Sequence, residues 1–153
     1  MTDIIHRIGI EAPPERVYRA LATRSGLINW WTWHVKGDPA PGGTVSFSFA
    51  DGGPQASPKA HSLEMAELSP GRAVRWRCTA GPDEWVGTDI SFELSPGDRE
   101  TVVMFRHAGW RSESAFMAHC SCKWASFLLS LKAWVEDGRG TPYPEDRKIS
   151  SWG

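Results

Sequence analysis

Large apolar residues other than tryptophan are scarce in this 153-residue chain: leucine, isoleucine, valine and phenylalanine together make up about 19% of it. Such a shortage accompanies disorder when a large net charge comes with it. Here 17 basic residues stand against 18 acidic ones for a formal charge of −1, which excludes disorder as the main state. With neither sign in excess there is no electrostatic footprint for nucleic acid or an anionic membrane, and neither is expected as a partner. No apolar run approaches the roughly 20 residues that span a bilayer. The opening Met1-Thr2-Asp3-Ile4-Ile5-His6-Arg7 also lacks the long apolar stretch of a secretory signal, so a cytoplasmic protein is expected. Cysteine is limited to Cys78, Cys120 and Cys122, an odd count that builds no disulfide framework and agrees with a reducing compartment. What the chain has in excess is tryptophan, 9 residues of it. Either the core is unusually aromatic or the fold keeps an aromatic-lined space for something else.

The periodicities predict one domain of the α+β class. Apolar residues at 4, 8 and 10 share one face of a first strand, with Ile5 on the other. In the segment Ala12 to Leu21, proline stands where a first helical turn accepts it, and Val17, Ala20 and Leu21 recur at helical spacing. Leu27-Ile28-Asn29-Trp30-Trp31 predicts a second short helix. Lys36 to Gly43 is a turn region rich in glycine and proline, after which Val45, Phe47 and Phe49 alternate with serines as a strand does. Asp51 to Pro58 reads as a loop. Further strands are predicted over 61–68, through Val74, Trp76 and Cys78, over 87–94 with Ile90, Phe92 and Leu94 inward, and from Glu100 to His107. If the strand at 87–94 pairs with its predecessor, Arg75 and Arg77 fall near Asp89 and Glu93. From Glu113 to Glu136, apolar spacings of three and four describe one long amphipathic helix that Asp137-Gly138 ends. The expected organisation is a domain over 1–137, a curved antiparallel sheet wrapped around that helix, followed by a polar C-terminal tail over 138–153.

This order of elements, with the string Ile10-Glu11-Ala12-Pro13-Pro14-Glu15-Arg16-Val17-Tyr18-Arg19-Ala20-Leu21, Leu27…Trp30-Trp31, His107-Ala108-Gly109-Trp110 and Trp124…Leu128…Leu131, resembles the START-like (SRPBCC) helix-grip superfamily. That superfamily includes Bet v allergen-like and polyketide cyclase/dehydrase-like proteins. The resemblance is strongest to the branch similar to the C-terminal domain of the activator of heat-shock protein 90 ATPase, and it covers about residues 3 to 137. It implies a seven-stranded sheet, of which the periodicities give six strands, gripping the long helix around a cavity. Lys123 departs from the family pattern, which often has glycine before the tryptophan found here as Trp124.

On that architecture Phe47, Phe49, Met65, Trp76, Phe92 and Phe105 line the sheet side of a cavity, and Trp124 and Phe127 the helix side. Trp31 and Trp110, with Trp30, Trp33 and Trp85, sit at helix ends or loops where its mouth would be. Pockets for small molecules are rich in such rings, so the expected partner is an apolar or aromatic small ligand, with a homodimer possible. His107 alternates with Val103 and Phe105 and so points inward, where it could orient a polar ligand group or move a proton; a histidine tied to backbone is the alternative. Either Glu64 or Glu67 faces the same way. His61 and His34 carry less signal. His119 and Cys122 share a helix face that Cys120 does not, and two ligands fall short of a closed zinc site, so neither metal nor cofactor is expected. No phosphate loop or nucleophile elbow is visible. Three functions follow as expectations: ligand binding, a cyclase, dehydratase or hydrolase-like activity through His107, and, from the resemblance alone, regulation of the heat-shock protein 90 ATPase.

Overall fold

A computed structural model describes residues 1–49 and 61–153; the loop expected over Asp51 to Pro58 lies outside the described residues. The elements run β1 (Thr2–Ile10), α1 (Pro14–Ala22), α2 (Arg24–Trp30), β2 (His34–Lys36), β3 (Thr44–Ser48), β4 (His61–Ser69), β5 (Ala73–Ala80), β6 (Asp89–Pro96), β7 (Thr101–Trp110) and α3 (Ala115–Asp137). All seven strands pair antiparallel in the order β1-β7-β6-β5-β4-β3-β2. This is the helix-grip architecture expected from the sequence. The seventh strand, β2, was hidden because three residues cannot show a period; its ladder to Ser46–Ser48 of β3 defines it instead. No helix among the described residues is long and apolar enough to cross a membrane.

Local chemistry sets the helix ends. Pro14 opens α1 without leaving a backbone donor to satisfy, and the helix buries Val17, Ala20 and Leu21. Thr23 caps α2, its hydroxyl accepting from the Gly26 amide at 3.1 Å. Gly26 itself is where α1 and α2 meet backbone to backbone, since a Cβ there would lie 2.5 Å from the Ala20 carbonyl oxygen. Ser114 caps α3 by accepting from the Met117 amide at 3.0 Å, and Gly138, left-handed at φ 74°, ends it. Across the sheet's outer face Asp89 receives Arg77 at 2.9 Å and Arg75 at 3.6 Å, as the cross-strand pattern predicts. Glu93 does not join them: the register sets it opposite Ala73.

The C-terminal segment is tied to the body of the domain. The Tyr143 amide donates to the Trp31 carbonyl at 2.8 Å, and the Trp33 amide to the Tyr143 carbonyl at 3.1 Å. Ser130 of α3 donates to the Trp30 carbonyl and accepts from the Thr141 amide, both at 2.7 Å. Lys123, the departure noted before Trp124, pairs with the buried carboxylate of Asp146, which Lys148 also meets at 2.6 Å. The same ammonium donates to the Arg147 carbonyl at 2.8 Å.

Candidate functional site

Sheet and α3 face each other across a layer built of rings. Alternation along the strands turns Phe47, Met65, Trp76, Phe92, Phe105 and His107 toward α3, and all are buried. From α3, Trp124 and Phe127 face them. Trp31, expected at a cavity mouth, occupies the middle: it ends α2 and stacks on Trp76 at 5.3 Å and on Trp124 at 5.6 Å, with Phe47 at 4.3 Å. Trp76 continues edge-on to Phe92, Phe92 to Phe105, and Phe105 reaches Trp124 at 4.7 Å. Phe49 bridges Trp31 and Phe127, each at about the 6 Å expected of ring pairs. Met65 joins through the ladder, opposite Trp76. The eleven residues expected to bind ligand therefore share one buried layer, with Phe49 its most open member.

The tryptophans expected at a rim separate. Trp30 is fully buried and its indole donates to the Ala20 carbonyl at 2.7 Å, a structural tie between α1 and α2. Trp85, at 6% exposure, stacks on Trp124 and stands edge-on to His107, and Trp110 lies 4.8 Å from the same imidazole. Only Trp33, at 48% exposure, is a surface residue. Sequence spacing could not separate them because each lies at the end of an element or in a connection, where periodicity does not fix a side chain's direction.

His107 points inward as expected, but both its nitrogens are occupied. The Trp124 indole donates to Nδ1 at 3.1 Å, so the proton belongs on Nε2, which faces the Thr88 hydroxyl at 2.8 Å. That hydroxyl in turn donates to the Trp85 carbonyl at 2.6 Å. Burial holds the imidazole neutral and pushes its pKa down to about 3. The alternative of a backbone tie gives way to a side-chain network, and a proton-transfer role near neutral pH loses its free nitrogen. Glu64 and Glu67 do not supply a partner: both are exposed, because a register irregularity between Met65 and Glu67 breaks the strict alternation of β4. Glu67 accepts from Ser69 at 2.8 Å instead.

The residue that sequence reasoning passed over is His61, at the start of β4. It is 5% exposed, packed edge-on against Phe47 at 4.7 Å and tilted against Trp85 at 5.7 Å, and among the described residues neither ring nitrogen has a hydrogen-bond partner. Burial lowers its pKa to about 4. Among the described residues the indole N–H groups of Trp76 and Trp110 are likewise buried and unpartnered, while that of Trp85 meets only the Cys120 thiol. Each such group costs about 1–3 kcal/mol of desolvation, so several in one layer are a standing expense that a packed apolar core would not carry. Burial also pushes Cys78 up to about 11 and Cys120 to about 12, leaving inert thiols. At neutral pH the layer is uncharged, aromatic and able to donate hydrogen bonds. A separate groove of about 590 Å³ between α1, α2 and the end of α3, lined by Arg16, Arg19, Asn29 and Trp134, contains none of the expected residues.

The chain matches the family described as Activator of Hsp90 ATPase homolog 1-like protein over residues 11–136. Among solved structures it is similar to the Aha1 dimer from Colwellia psychrerythraea, 43% identical, covering 92% of this chain and 100% of that one with a TM-score of 0.80. It shares its fold with CalU16 from Micromonospora echinospora, 18% identical over 89% of this chain and 77% of that one at a TM-score of 0.68. The same holds for DynU16, from the dynemicin biosynthetic locus, 18% identical over 95% of this chain and 49% of that one at 0.73. A comparison with curated proteins finds no match. With the family match spanning most of the chain and the Colwellia likeness nearly all of it, the protein belongs to the Activator of Hsp90 ATPase homolog 1-like family.

Proposed function

We propose that the protein binds a small, flat, apolar or aromatic molecule in the ring layer between the sheet and α3. The observation that carries this is the make-up of that layer: Trp31, Trp76, Trp85 and Trp124 stack at centroid distances of 5.3–6.0 Å where most domains of this size place aliphatic side chains. A ring inserted among rings exchanges one stacking partner for another, so little contact energy is lost on opening. Trp31 is the natural gate, being carried on the end of a seven-residue helix and not on a strand. Titration with 1-naphthol, followed by tryptophan fluorescence and by the indole signals of a ¹H–¹⁵N spectrum, should give saturable changes at Trp31, Trp76 and Trp124. Unmoved indoles at saturating probe would sink the reading.

The likeness to the Colwellia Aha1 chain, matched along its whole length, favours a second reading, regulation of a heat-shock protein 90 ATPase, with the same dimeric state for this chain. Sedimentation equilibrium reads the dimer. An ATPase assay with the heat-shock protein 90 of the same host reads the regulation, and an unchanged turnover would dismiss it.

A further inference from the structure

Two buried histidines flank Trp85, and they differ in one respect. His107, 4.9 Å from the Trp85 ring, has each nitrogen matched by a group of the protein, Trp124 on one side and Thr88 on the other. His61, 5.7 Å from the same ring on β4, has neither nitrogen matched among the described residues. Among the described residues the rings against His61 besides Trp85 are Phe47 and Phe49, which offer no hydrogen-bonding atom, and Gly81, just after β5, lies so close to the imidazole that a Cβ there would come within 3.2 Å of it. The fold thus satisfies one imidazole completely and leaves the other presenting a donor and an acceptor inside an aromatic enclosure.

Building on the ligand-binding reading above, we infer that His61 is the polar end of the binding layer and selects an uncharged aromatic ligand that bears a hydroxyl or carbonyl oxygen. A neutral imidazole supplies one donor and one acceptor, so a phenolic hydroxyl can accept from one nitrogen or donate to the other. A carboxylate is disfavoured, because the rings packed on His61 carry no cation to compensate a buried anion. A pure hydrocarbon is disfavoured for a different reason: it would leave the same polar atoms unmatched in the complex as in the free protein. Sites built to hydrogen-bond a hydroxyl discriminate strongly against the analogue that lacks it.

The test compares 1-naphthol with naphthalene on the full chain, the wild type beside His61→Phe and His61→Gln. Binding is read by tryptophan fluorescence and the Trp85 indole ¹H–¹⁵N signal. The wild type should prefer 1-naphthol by about tenfold or more. His61→Phe, which keeps a ring of similar size, should bring that ratio to about one while leaving naphthalene affinity unchanged, and His61→Gln should restore part of it. His61→Phe should also unfold at the same or higher urea concentration than the wild type, because it removes unmatched polar atoms from the interior. Binding of both probes with equal affinity, or a preference that survives His61→Phe, overturns this inference and leaves the ligand-binding reading standing. Binding of neither overturns both.

Discussion

At the scale of the residue, the contrast between two histidines decides what each substitution does. His107→Leu would strip Trp124 of its acceptor, leaving that indole N–H unmatched in the interior, and would cost the Thr88 hydroxyl one of its two partners. A destabilisation of about 2–4 kcal/mol is expected from urea unfolding, against no loss for His61→Phe. Equal losses in the two variants would erase the distinction drawn between them. Thiol chemistry gives a second residue-level check. Cys78 and Cys120 are buried with raised pKa values and Cys122 is exposed, so a disulfide-exchange reagent should titrate one thiol rapidly in the native protein and three only after unfolding. The sequence made the ring layer legible because inward strand positions are fixed by alternation. It could not make His61 legible: its inward direction follows from strand register, but its surroundings depend on Phe47, Phe49 and Trp85, three residues from two segments distant in sequence from each other. The same distance in sequence concealed the Thr88 and Trp124 partners of His107.

At the scale of the element, the periodic pieces were readable and the short or docked ones were not. The long helix, the hairpins and the inward faces all follow from spacing, whereas β2 owes its existence to the β3 ladder and to the parallel bridge between Thr32 and Tyr143 beside it. That bridge gives the C-terminal segment a structural role that its polar composition does not reveal. Asp146, whose side chain is 2% exposed between two lysines, is its anchor. Asp146→Ala would leave the half-sequestered Lys123 ammonium without its carboxylate. The expected result is about 2–3 kcal/mol of local destabilisation, seen as faster hydrogen exchange at the Trp33 and Tyr143 amides while β5, β6 and β7 keep their protection. Unchanged exchange at those two amides would mean that the backbone bonds alone hold the segment. A second element-level expectation concerns the α1–α2 corner. Gly26→Ala would drive a methyl to 2.5 Å from the Ala20 carbonyl oxygen, where backbone and not a mobile side chain must move. It should therefore lower the urea midpoint by more than a typical surface substitution, whose effect stays within about 0.5 kcal/mol.

At the scale of the whole molecule, burying imidazoles without charge couples stability to pH. His107, held near 3, and His61, held near 4, stay neutral in the folded protein well below the ordinary histidine value, and burial lowers His119 in the same sense. In the unfolded chain all of them take up protons as the pH falls below about 6.5. Their stabilising contribution is therefore complete above that pH and shrinks as the pH falls toward the folded-state values, by about 1 kcal/mol per pH unit for each fully buried imidazole. Two carboxylates act in the same direction but later. Asp3 is lowered chiefly by the Gly109 amide and Glu136 chiefly by the Glu11 amide, so their losses begin only near the ordinary carboxylate range. The interval from pH 6.5 to 5 thus isolates the histidines. Urea midpoints should fall steadily across it, and His61→Phe, by removing one of the two strongest contributors, should flatten the slope by roughly half while raising the midpoint most at the acid end. A midpoint that does not change between pH 7.5 and 5 would show that the imidazoles are protonated in the fold, which neither the network around His107 nor the rings around His61 can accommodate.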